Sequence, residues 1–102
     1  MSEFVTVAKV GDIPSGEGRV VEVKGTEVAL FNMDGAFFAI DNYCVHQGGP
    51  LGEGRLEGED VLCPWHSWRY NIKTGLSPTH PSVKVKTYPV RVENDEVKLS
   101  LA

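Results

Sequence analysis

Glycine and proline interrupt this chain so often that no window carries an apolar repeat at helical spacing. Eleven glycines and six prolines fall within 102 residues, and the stretches between them are rich in valine, threonine and aromatic residues. β-Branched and aromatic side chains pack well on a pleated surface, so the expected class is all-β. Val5 to Val10, Arg19 to Val23, Glu27 to Asn32 and Ala36 to Ile40 read as consecutive strands of an antiparallel meander. The last two are joined by Asp34-Gly35, a strong hairpin signal. Val83 to Val85, Tyr88 to Val92 and Val97 to Leu101 read as closing strands, with Glu93-Asn94-Asp95-Glu96 as the turn between the final two. Both ends of the chain thus supply one β base.

The middle differs. Five of the twelve residues from Gln47 to Gly58 are glycine, and Cys44-Val45-His46 and Cys63-Pro64-Trp65-His66 stand on either side. Such density suits a surface loop, and it also suits backbone that must approach a bound group closely. Length and the absence of a composition break predict one domain over residues 1–102, with a β base at 1–41 and 72–102 and an insert at 42–71. Hydrophobic residues at 41% and charged residues at 24% are globular values, although a core this small gains from a clamp such as a metal or a disulfide.

A net charge of −4 without a Lys/Arg cluster argues against nucleic acid and favours a basic protein partner. No run approaches the roughly 20 apolar residues of a membrane span, so no membrane association is expected. The start, Met1-Ser2-Glu3-Phe4-Val5, has neither a basic stretch nor a signal-peptide core, which makes the cytoplasm the expected compartment. In a reducing compartment, paired Cys and His bind metal or do redox work more often than they bridge.

The central pattern is C-x-H, a gap of sixteen residues, then C-x-x-H. Taken singly, a cysteine is a small buried hydrophobe and a histidine an ordinary polar residue. Two thiols each followed closely by an imidazole point instead to a metal site of Cys44, His46, Cys63 and His66. Zinc accepts such a set in a tetrahedron, but zinc loops normally open with two cysteines two to four residues apart. Here each loop offers one sulfur and one nitrogen, so each can give its Cys to one iron and its His to another, as a mixed-ligand 2Fe-2S cluster requires.

The sequence resembles the Rieske family, whose motif has this spacing. The likeness extends to Gly48-Gly49-Pro50-Leu51, to Pro64-Trp65, to Trp68-Arg69-Tyr70-Asn71 with Thr74-Gly75, and to the closing Lys86-Thr87-Tyr88-Pro89-Val90-Arg91-Val92. Within the family it is most similar to the small ferredoxins of aromatic-ring oxygenases, and next to the small subunit of assimilatory nitrite reductases. Ser67 departs from the glycine that many relatives carry after the second histidine.

The resemblance implies an antiparallel β-sandwich or barrel base with an inserted cluster-binding subdomain of two loops. It implies one Rieske 2Fe-2S cluster on Cys44, His46, Cys63 and His66, both cysteines on one iron and both histidines on the other. Two ferric ions, two sulfides and two thiolates sum to zero charge, so an electron is accepted more easily than by a four-thiolate cluster. The potential then belongs within roughly −150 to +300 mV. Cytochrome bc relatives carry an extra Cys in each loop and a Ser two residues after the second histidine; Trp68 replaces that Ser here, and the lower half of the range is expected. With all four ligands committed, no catalytic group remains. The implied role is a monomeric carrier between a flavin-dependent ferredoxin reductase and a terminal oxygenase. A nitrite reductase subunit and a structural zinc module are the alternatives.

Other residues carry two readings each. Tyr70 is either a hydrogen-bonding partner of the site or a half-buried sheet aromatic, and Trp65 either covers the cluster, or forms a docking surface, or simply packs its loop. Leu51 is expected to pack over the cluster and exclude water. His80, between two prolines, is expected in an exposed connection. Glu53, Glu57, Glu59 and Asp60 read as a solvated loop, or as charges that steer a basic partner.

Overall fold

The computed structural model describes residues 3–44, 48–65, 68–80 and 82–101. Among them, ten strands form three antiparallel sheets. β2 (Glu17–Val23), β3 (Thr26–Met33) and β4 (Ala36–Asp41) make a meander, extended at its edge by β8 (Thr87–Tyr88). A second sheet has the order β1 (Val5–Lys9), β10 (Glu96–Leu99), β9 (Val90–Glu93). The third consists of β5 (Arg55–Glu57), β6 (Asp60–Leu62) and β7 (Arg69–Asn71). Among the described residues, no helix is long and apolar enough to cross a membrane.

Turn chemistry sets the hairpins. Asp34-Gly35 links β3 to β4 with both residues at positive φ (54° and 91°), the two-residue turn whose twist matches that of the flanking strands. Asn94-Asp95 (52° and 64°) makes the same connection between β9 and β10.

Alternation along β3 and β4 divides the interior in two. Ala29, Phe31 and Ile40 face a core shared with Cys44, Leu51, Val61, Cys63, Tyr70 and Ile72. Val28, Leu30, Phe37 and Ala39 face the other way, into a core with Ile13, Tyr88, Val97 and Leu99. Successive strand residues point to opposite faces, so the continuous run Val28-Ala29-Leu30-Phe31 belongs to a strand with protein on both sides.

Four sequence expectations change. The first strand does not join the meander: it pairs with β10, Val5 lying opposite Leu99. Val83 to Val85 form no strand, because Val83 N–H bonds to His80 O (2.8 Å) and Val85 N–H to Gly75 O (2.9 Å), which leaves one bridge between Leu76 and Lys84. The run Tyr88 to Val92 is split at Pro89, which has no N–H for a ladder, and the chain passes there from one sheet to another. The glycine-rich middle of the chain leads into a sheet of its own, whose three-residue strands are too short to show a period.

Asp41, the last residue of β4, clamps the meander to β8. Its Oδ1 accepts from the Tyr88 hydroxyl (2.6 Å) and its Oδ2 from Lys86 N–H (3.0 Å). Burial, and then the hydrogen bond to Asp41, push the Tyr88 phenol up to about 12. An unfolded phenol loses its proton near pH 10, before the folded one does, so this contribution is complete below pH 10 and is lost as pH rises toward 12. Unfolding free energy measured in urea at pH 9, 10 and 11 should therefore fall less steeply for Tyr88→Phe than for the parent. Equal slopes would contradict the assignment.

Candidate metal centre

Asn42 follows β4 directly and is buried. Its Oδ1 accepts from Gly52 N–H (2.8 Å) and its backbone O from Leu51 N–H (2.6 Å), so one residue holds the chain before Tyr43 to the chain after Pro50 through side chain and backbone together. Inside that closure Tyr43 bridges to Pro50, Cys44 N–H donates to Gly49 O (2.9 Å) and Gly48 N–H to Cys44 O (2.7 Å). The Tyr43 hydroxyl donates to Glu27 on β3, and Asn42 Nδ2 reaches the same carboxylate oxygen (3.3 Å). The Glu27 hydrogen bond, aided by burial and charge, raises the Tyr43 phenol above its ordinary value. Gly52 lies against β2 so closely that a methyl group there would stand 2.7 Å from Val20 Cγ2.

The second loop leaves β6 at Leu62 and enters β7 at Arg69, and Cys63 N–H donating to Trp68 O (2.8 Å) closes it. The two loops meet at sulfur. A methyl group on Gly49 of the first would lie 2.6 Å from Cys63 Sγ of the second, so only glycine permits that approach. Cys44 and Cys63 are both buried, form no disulfide, and share one core with Leu51, Val61 and Tyr70. Tyr70 Oη stands 3.3 Å from Cys44 Sγ. With Cys44 as a thiolate, the hydroxyl is the donor. His46 and His66 lie outside the described residues, as do Val45, Gln47 and Ser67.

Two buried thiols from separate segments in one apolar core, one packed against Gly49 and the other beside a hydroxyl donor, suit a group bound through sulfur. Residues 3–89 match the Rieske [2Fe-2S] domain. The chain belongs to that family. The chain is 38% identical over 99 residues to the ferredoxin component of the naphthalene 1,2-dioxygenase/salicylate 5-hydroxylase systems of Ralstonia sp., covering 96% of this chain and 95% of the relative. Among solved structures, the complex of reduced oxygenase and oxidized ferredoxin in carbazole 1,9a-dioxygenase contains a chain with TM-score 0.87 and 28% identity, covering 95% of this Rieske protein and 92% of that chain. A Mycobacterium tuberculosis protein named for the small subunit of an NADH-dependent nitrite reductase gives TM-score 0.94 at 23% identity, covering 100% and 97%, and so shares the fold. The family's group is a Rieske 2Fe-2S cluster, and the buried sulfur pair fits it.

Of the remaining expectations, Tyr70 takes the site reading and is fully buried as well, and Leu51 lies in the cysteine core. Trp65 is 56% exposed beside Gly49. His80 is not the freely exposed loop residue its prolines suggest: it is half-buried, its ring stacked on Trp68. The acidic stretch is mostly paired. Glu57 accepts from Arg69 and from Arg55 (2.9 Å), Asp60 lies 3.6 Å from Arg69, and Glu59 accepts from Lys73 (3.0 Å). The Arg69 hydrogen bond holds the Glu57 carboxyl below its usual range, and the Lys73 bond does the same for Glu59. Steering by this cluster is therefore weakened by its own cations.

Sequence reasoning missed Asn42, Glu27 and the Trp68–His80 stack. An asparagine beside a loop carries no sign that both its ends are used, and no local pattern couples Glu27 to Tyr43. Asn42→Ala should cost about 1–3 kcal/mol of unfolding free energy by stranding the buried Gly52 N–H. A urea midpoint that drops with an unchanged slope would show it. An unaltered midpoint would mean that the closure contributes nothing.

Proposed function

We propose that this chain is the ferredoxin component of an aromatic-ring oxygenase system, carrying one electron at a time on a Rieske cluster held by Cys44, His46, Cys63 and His66. The supporting observation is that two buried cysteines share one core, with Gly49 bonded to Cys44 and packed on Cys63 Sγ, within a Cys/His pattern of Rieske spacing. The relatives that share this chain over nearly its whole length are named as ferredoxin components, electron carriers rather than the oxygenases they serve. The likeness to the nitrite reductase subunit is one of fold.

When bound, such a cluster accepts and returns one electron with a change of a single charge. The chain's own residues set the conditions. Cys44 and Cys63 supply thiolates, and the histidines of each pair supply neutral nitrogens. Tyr70 donates its hydroxyl proton toward Cys44 Sγ, which stabilises added negative charge on the sulfur. Leu51, Val61 and Phe31 keep water from the sulfurs. The segments 42–52 and 61–68 contain no Asp, Glu, Lys or Arg, and Trp65 and Tyr43 expose aromatic surface beside the cysteines.

The reading includes a terminal oxygenase and a flavin-dependent reductase as successive partners, met in transient docking by a monomer in the cytoplasm. It also takes residues 42–71 as the cluster-holding insert of one domain, with its base at 1–41 and 72–102. Oxygenase docking is supported by the carbazole 1,9a-dioxygenase complex, whose ferredoxin has this fold.

Purified protein should hold about two irons and two acid-labile sulfides per chain, without zinc, and show the visible spectrum of a Rieske centre. Cys44→Ser and Cys63→Ser should both be colourless. Stoichiometric zinc without sulfide would replace the ferredoxin with the structural module. Tyr70→Phe should keep its colour and lower the midpoint potential by about 40 mV, the equivalent of one hydrogen bond of about 1 kcal/mol. An unchanged potential in voltammetry would remove Tyr70 from the site.

A further inference from the structure

The geometry points to His80 as a positioning residue for the second cysteine loop, acting through the face of Trp68; this rests on the assignment of Cys63 as a ligand. The two rings lie parallel, their centroids 3.6 Å apart at an interplanar angle of 13°. Trp68 is the residue whose carbonyl accepts Cys63 N–H (2.8 Å), so its backbone is one end of the bond that closes the loop. A stack that fixes the plane of the indole restrains that backbone, and through it the amide of Cys63.

The imidazole is itself held. His80 N–H donates to Ser77 O (3.3 Å), its carbonyl accepts from Val83 N–H (2.8 Å), and Nδ1 lies 3.0 Å from Thr79 Oγ1. The Thr79 hydroxyl in turn meets Oγ of Ser77 (3.3 Å), a buried serine. Asn71 N–H to Leu76 O (2.8 Å) and Val85 N–H to Gly75 O (2.9 Å) tie the segment to β7 and toward the base. The residues around His80 are thus held by their own bonds and present a flat ring to the second loop. Pro78 helps to set this conformation, which accounts for a histidine in a proline-rich connection being half-buried.

The stack requires a flat ring and not the basicity of imidazole, and this separates positioning from mere bulk. Amide exchange by mass spectrometry on the cluster-loaded protein, with loss of visible absorbance under a chelator, tests it in three variants. His80→Ala should assemble its cluster. It should then exchange amides of residues 62–70 roughly two- to tenfold faster, and bleach faster by a similar factor, as a stacked pair of about 0.5–1.5 kcal/mol implies at 1.4 kcal/mol per tenfold. Amides of β2 to β4 should be unaffected. His80→Phe should restore both rates, and His80→Leu, of similar bulk without a ring face, should not.

Parent-like rates in His80→Ala would overturn the inference, and so would rescue by Leu as complete as that by Phe. If His80→Ala fails to fold, the Phe and Leu variants decide alone. A parent protein without iron and sulfide would defeat the ferredoxin reading instead, a failure visible before any variant is compared.

Discussion

The run Val28-Ala29-Leu30-Phe31 has no solvent face, and that burial dictates how the other layers are arranged. Each fully buried large side chain contributes about 1.5–3 kcal/mol, so β3 is stable only where apolar surface meets it from both sides. One face is covered through Val97 and Leu99 of β10. The other is covered by the insert, through Leu51, Val61 and Tyr70 together with the two cysteines. Leu51, Val61 and Tyr70 are therefore part of the structural core, and the two cysteines belong to the same core that holds β3 in place.

That continuity accounts for how firmly the site is built. Asp41, Asn42, Tyr43 and Cys44 are consecutive, and each is bonded beyond its chain neighbours: to Lys86 and Tyr88, Leu51 and Gly52, Pro50, and Gly49 respectively. Glu27 on the central strand accepts from two of these residues. A carrier that exchanges electrons repeatedly benefits from ligands whose positions are fixed beforehand, because polar groups already oriented toward the charge need little rearrangement.

The charge distribution suits brief encounters. Carboxylates near the insert are matched by Arg55, Arg69 and Lys73, while the segments bearing the cysteines have no formal charge and expose Trp65 and Tyr43. Aromatic surface of this kind contributes contact area at low cost in side-chain entropy, whereas charge chiefly governs encounter rate and register. Under the proposed function, recognition at the cysteine loops rests on shape and ring contact more than on ion pairs.

The all-β class, the Asp34-Gly35 and Asn94-Asp95 hairpins and the Rieske motif were all legible in the sequence. Each is written in neighbouring residues, through side-chain period, through turn residues that accept positive φ, and through the spacing of thiol and imidazole. The tertiary structure alone decided that β1 pairs with β10, that Gly49 lies against Cys63, that Tyr70 serves Cys44, and that His80 stacks on Trp68. Those contacts join residues with no shared local pattern. Which of them meet depends on which faces the folded layers turn toward one another, and burial on both sides of β3 sets those faces.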